Sequence, residues 1–219
     1  MSGMNDTNIN RTSRDGRFFR NFHLEKAIFS QEECNKIIAF YKSKTYKQAG
    51  VVDREKSKGN DIKSTMMENV RKGHLVFGQN TDKELEFAFE ELYYTANWAN
   101  FGWGILPLKF IQLAEYDAQT DGGFYKRHRD IILDQNPQRI ISVVVQLSPR
   151  SDYTGCDLVF DDVSGLPKCS EFADQGDAIF FLSDEPHEVT PVTSGVRYSL
   201  TGWFTGPPCW TKETLSSYF

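Results

Sequence analysis

From Leu108 onward the chain is a succession of short β-branched or aromatic runs, and no feature limits its fold more. The runs span 108–117, 124–130, 140–147, 156–161, 177–183, 187–192 and 196–204, with Gly, Pro, Asp and Ser clusters between them. Many short strands without intervening helices leave a sandwich, a jelly roll or a barrel. The 17 Phe among 14% aromatic residues suit such a β-rich core.

The first half reads differently. Residues 1–16 are polar and without period, which predicts a flexible tail, with order beginning around Phe18 and Phe19. Ser30 with Glu33 forms a capping box, and Cys34, Ile37, Ile38 and Tyr41 follow at helical spacing, predicting a helix to about Lys44. Residues 52–73 are charged and lack clean periodicity, as expected of a mobile loop or lid. Thr81 and Glu84 make a second box ahead of Leu85, Ala88, Phe89, Leu92 and Ala96, predicting a helix to about Trp98. No repeat or domain boundary interrupts the chain. The expected architecture is α+β: one domain over 17–219, with helical support at 17–105 and a double-sheet β core at 106–210.

Charge and cysteine usage exclude several classes. The net charge is −5, and no basic track is present for a phosphate backbone, so nucleic acid is not an expected partner. No apolar run reaches the length of a membrane span and no signal core opens the chain, so a cytoplasmic protein without a membrane partner is expected. Cys34, Cys156, Cys169 and Cys209 are scattered without a C-x-x-C pair, which fits reduced structural thiols better than zinc or disulfides.

His128-Arg129-Asp130 is an H-x-D step in a strand-like run, where residues i and i+2 point to one face. His187 opens another strand-like run, 57 residues after Asp130. Two imidazoles and a carboxylate on one face form the set that non-haem Fe(II) oxygenases use, leaving positions open for co-substrate and O₂. Taken singly, the H-x-D step would be a surface charge pair and His187 a satisfied core histidine. Arg197 adds weight, because period-2 alternation puts Arg197, Ser199, Thr201 and Trp203 on one face and Leu200 and Phe204 on the other. An inward Arg is costly unless it meets an anion, and its fork fits a carboxylate bidentately. A structural ion pair is the bland alternative.

With these residues in place, the stretch from about Leu108 to Phe204 resembles the prolyl 4-hydroxylase superfamily of 2-oxoglutarate oxygenases. Tyr116, Gly122, Gly123 and Phe124 leading to His128-Arg129-Asp130 resemble that family's approach to its H-x-D step. The run from Pro186-His187-Glu188 through Arg197-Tyr198-Ser199-Leu200-Thr201-Gly202-Trp203-Phe204 is similar to the C-terminal core of the intracellular peptidyl-prolyl hydroxylases. Tyr153-Thr154-Gly155-Cys156-Asp157-Leu158 resembles their Y-x-G-G-x-L turn, with Cys156 in place of the second glycine. Gln146 stands where several relatives carry a tyrosine.

The resemblance implies a double-stranded β-helix (jelly-roll) core with supporting N-terminal helices. It implies Fe(II) on His128, Asp130 and His187, with 2-oxoglutarate and O₂ as co-substrates and ascorbate as reductant. Arg197 would pair with the far carboxylate of 2-oxoglutarate, helped by Tyr116 and by Ser199 or Gln146. Trp203 would line the substrate side, with Arg139 also assigned to substrate. The expected reaction is hydroxylation of a prolyl residue in a cytosolic polypeptide, with a translation component as the family-level target, releasing succinate and CO₂. The alternatives are the same chemistry on a free amino acid, small molecule or nucleobase, or a catalytically silent binding module.

Overall fold

The computed structural model describes residues 11–12, 18–19, 22–43, 47–48, 51–52, 64–65, 70–78, 94, 106–120, 122–133, 135–161 and 166–208. The β core they form is mostly antiparallel. An eight-stranded sheet runs in the order Phe22–Glu25, Ala178–Leu182, Gln138–Gln146, Val192–Gly206, Leu106–Asp117, His74–Gly78 and Lys47–Gln48, with Tyr153–Gly155 pairing onto Val192–Gly206. A four-stranded sheet orders Leu158–Phe160, His187–Val189, Phe124–His128 and Arg71–Lys72.

Alternation gives the large sheet two different faces. Its outer face carries Ile111, Leu113, Ile141, Val143, Val145, Phe180, Leu182, Leu200 and Phe204 into one core with Phe29, Cys34 and Tyr41. The inner face turns Ala114, Tyr116, Val144, Ile179 and Phe181 toward Leu158, Phe160 and Val189 of the small sheet. The helix that seals the outer face spans Gln31–Lys42, close to its expected end. Its capping box is complete: Ser30 Oγ accepts from the Glu33 backbone N–H at 3.3 Å, and Ser30 N–H donates to Glu33 Oε2 at 2.8 Å.

Several expected boundaries move for local reasons. Cys156 (φ 55°) and Gly155 (φ 70°) adopt left-handed backbone, so the 156–161 run yields a strand only at Leu158–Phe160. Pro191 has no N–H for a ladder, and the expected 187–192 strand stops at Val189. At the start of and within the 52–73 segment read as a mobile loop, Val51–Val52 pairs with Ser64–Thr65, and Arg71–Lys72 joins the edge of the small sheet. Arg11–Thr12 pairs with Phe18–Phe19, inside the stretch expected to be a flexible tail. The helix expected over 81–98 lies outside the described residues apart from Tyr94, as does Cys209. Among the described residues, no helix is long and apolar enough to cross a membrane.

Candidate active site

Strand pairing brings the two histidines together. His128 closes the Phe124–His128 strand directly opposite His187, which opens the His187–Val189 strand. The expectation that Asp130 shares a strand face with His128 is corrected, because that strand ends at His128 and Asp130 lies in a bend beyond it. The large sheet supplies the alignment instead. Ser142 Oγ donates to Asp130 Oδ2 at 2.7 Å and is 2.9 Å from Ser183 Oγ, while the Ile131 N–H donates to the Ser183 carbonyl.

The outcome is a compact three-atom cradle. Asp130 Oδ1 lies 3.6 Å from His128 Nε2, and Oδ2 lies 3.7 Å from His187 Nε2. One ligand atom from each of the three residues falls within 4.8 Å of the others. Both imidazoles are oriented through Nδ1, which is 2.9 Å from the Lys126 carbonyl in His128 and 2.9 Å from the Glu185 carbonyl in His187. A carbonyl can only accept, so each Nδ1 carries the proton and each Nε2 keeps its lone pair for a metal. Burial, with His128 nearby, pushes His187 down to about 4, so its imidazole is neutral at physiological pH. Around Asp130 burial opposes the charge, yet His187 and His128 hold the carboxyl well below its usual range. Two imidazoles and an ionised carboxylate are a donor set that suits divalent iron, and these residues fit one.

Aromatic walls fix the cradle. The Tyr125 ring stacks on His128 with centroids 3.5 Å apart at 18°, and the Arg71 guanidinium sits 4.3 Å over Tyr125. Phe181 meets His187 edge-on at 4.9 Å, with Phe160 at 6.0 Å.

Further along the inner face of the large sheet lies a buried guanidinium. Arg197 is 1% exposed, and its Cα pairs with Tyr116 across the sheet. Its Nε and Nη2 donate to Gln146 Oε1 at 3.0 and 2.8 Å. No carboxylate among the described residues pairs with it. Gln146 Nε2 is buried without a partner among the described residues. Tyr116 stands beside the guanidinium, 5.9 Å from ring centroid to Cζ, and burial raises its hydroxyl pKa. Gly123 permits this placement: a Cβ there would come within 2.9 Å of the Tyr116 ring. Ser199, also buried, has its Cα paired with Gln146.

Trp203 is 5% exposed, with its Cα opposite Ser142, and its Nε1 lacks a partner among the described residues. Arg139 stacks over its ring at 3.9 Å and reaches the Asp130 carbonyl at 3.4 Å. All nine residues singled out from the sequence therefore cluster on or beside the inner face of the large sheet. Sequence reasoning missed Ser142, Tyr125 and Arg71. A polar residue inside the apolar run 140–145 is a signal that could have marked Ser142. Nothing local marks Arg71, whose role depends on strand pairing.

The fold and site define a mostly antiparallel β protein with a two-histidine, one-carboxylate metal cradle. Residues 111–205 match the model of the 2OG-Fe(II) oxygenase superfamily. A PKHD-type hydroxylase of Idiomarina loihiensis is 33% identical over 99 residues, covering 45% of this chain and 44% of that protein. One of Alteromonas mediterranea is 40% identical over 106 residues, 46% of each. The match thus spans about half or less of the length of the curated relatives. A Pseudomonas putida prolyl-4-hydroxylase superposes with a TM-score of 0.62 at 21% identity, covering 86% of this chain and 94% of that one. A Trichoplax adhaerens prolyl hydroxylase, solved with a hypoxia-inducible-factor peptide, superposes at 0.64 with 18% identity, covering 90% and 86%. These likenesses make the β core consistent with the double-stranded β-helix oxygenase fold. Of the supporting helices expected, the one at Gln31–Lys42 is described.

Proposed function

We propose that this chain is an Fe(II)- and 2-oxoglutarate-dependent dioxygenase that hydroxylates a prolyl residue of a polypeptide. The observation that carries the reading is the buried Arg197, paired with no carboxylate among the described residues, on the sheet that also holds Asp130 in the metal cradle. A buried guanidinium without a counter-ion is costly, and a dicarboxylate co-substrate removes that cost.

In this reading His128 Nε2, Asp130 and His187 Nε2 hold the iron. Bound there, iron with 2-oxoglutarate and O₂ supplies the oxidative chemistry that releases succinate and CO₂ and puts one oxygen atom into a C–H bond. The chain's own residues bind and orient. Arg197 and the Gln146 amide hold the distal carboxylate, with Tyr116 and Ser199 lining that end. Ser142 keeps Asp130 aimed at the histidines. Trp203, braced by Arg139, offers a flat apolar wall suited to a pyrrolidine ring. The PKHD-type and prolyl hydroxylase likenesses support a prolyl substrate. We extend the reading to a single oxygenase domain over 17–219, ascorbate as reductant, and a cytoplasmic polypeptide such as a translation component as target.

The test is succinate release from 2-oxoglutarate by the purified protein with Fe(II) and ascorbate, with and without a proline-containing peptide pool. The expected outcome is turnover that rises with peptide, leaves one added oxygen on proline, and vanishes in His187→Ala. Iron-loaded protein giving no succinate under any of these conditions would overturn it.

A further inference from the structure

Behind the metal cradle, a second layer of contacts converges on one short turn. Ser183, Asp184 and Glu185 follow the Ala178–Leu182 strand and lead to His187. The segment 129–131 is tied to this turn twice: the Ile131 N–H donates to the Ser183 carbonyl at 2.9 Å, and the Arg129 guanidinium donates to the Asp184 carbonyl. The Ser183 N–H donates to the Ile140 carbonyl at 2.9 Å, which fixes the turn to the large sheet. The Glu185 carbonyl receives His187 Nδ1. Three successive residues thus hold the backbone around Asp130 and aim one of the two imidazoles.

The side chain of Ser183 adds a further tie. It is 0% exposed, and its Oγ lies 2.9 Å from Ser142 Oγ. Distance alone leaves the donor open, but the count of protons decides it. A serine hydroxyl has one proton to give. Ser142 directs its own at Asp130 Oδ2, 2.7 Å away, because a carboxylate only accepts. Ser142 Oγ must therefore accept from Ser183. The result is a one-way chain from Ser183 through Ser142 to Asp130, in a buried setting where successive hydrogen bonds polarise and strengthen one another.

We propose that Ser183 is a positioning residue for the metal: through Ser142 it locks the Asp130 carboxylate toward the two histidines. This rests on the reading of His128, Asp130 and His187 as the metal site. Without the Ser183 hydroxyl, Ser142 Oγ loses one of the two side-chain contacts that fix its rotamer. A hydrogen bond of this kind changes an equilibrium roughly 3- to 10-fold.

The experiment titrates the metal-free full chain with Co(II) by calorimetry and records the visible absorption of each Co(II)-loaded protein. Wild type, Ser183→Ala, Ser142→Ala and the double variant are compared. Ser183→Ala should weaken Co(II) roughly 3- to 10-fold and shift the Co(II) absorption, with its metal-free thermal midpoint within a few degrees of wild type. The double variant should match Ser142→Ala within about twofold, because the chain is already cut. Wild-type affinity and absorption in Ser183→Ala overturn the proposal and leave the metal site intact. An equal loss in both backgrounds also overturns it, since Ser183 would then act independently of Ser142. Wild type that binds no Co(II) overturns the metal-site reading and this proposal together.

Discussion

The two faces of the large sheet obey the same alternation and do opposite work. The outer face is apolar at its centre, from Leu113 and Val143 to Leu200 and Phe204, all 0% exposed beneath the Gln31–Lys42 helix. The inner face carries Gln112, Ser142, Gln146, Arg197 and Ser199, each buried to 4% exposure or less. An outer residue needs only the right volume, because packing is non-directional. Each inner polar group needs a partner at a set distance, and where the protein provides none, a ligand is implied. The contrast teaches that stability and chemistry are separable across a single layer of backbone.

Substitutions can break that separation. The largest effect belongs to His187→Ala, which removes one of three ligands: metal content and succinate release should both fall to background, with the metal-free thermal midpoint shifted by only a few degrees. Leu200→Ala attacks the opposite face and should cost about 2–5 kcal/mol in chemical denaturation. Activity per folded molecule should stay near wild type; a selective loss of activity would contradict the division of labour. Next comes Arg197→Ala. It should weaken 2-oxoglutarate about 100-fold by calorimetry, an amount within the cost of losing one partner of a buried charge pair, while metal affinity is retained. The smallest effect is expected of Ser142→Ala, which frees the Asp130 carboxylate to swing. Metal affinity should drop roughly 10-fold, as for other residues that orient ligands, and Ser142→Thr, which retains the hydroxyl, should recover part of it.

Much of the site could be read before any coordinates because its elements are short and periodic. Alternation in 196–204 placed Arg197, Ser199 and Trp203 together and Leu200 and Phe204 apart, and these residues fall into a buried polar face and an apolar core as expected. Asp130 reaches the two histidines by a route that strand alternation does not give. Strand geometry predicts that His128 and Asp130 share a face, but the strand ends at His128 and a serine on another strand aims the carboxylate. Arg71 was absorbed into a loop because a two-residue edge strand leaves no pattern in the sequence.

By itself, then, the sequence determined the β class, the capped helix, and which residues assemble in the His128–Asp130–His187 cluster and around Arg197. These depend on local periodicity and side-chain identity, which any stretch of a few residues expresses. Only the tertiary structure decided how the groups meet: His128 against His187, Ser142 on Asp130, and Gln146 across the inner edge of Arg197. Those relations join residues from about 12 to 59 positions apart, and register between distant strands is settled by packing the whole core rather than by any one segment.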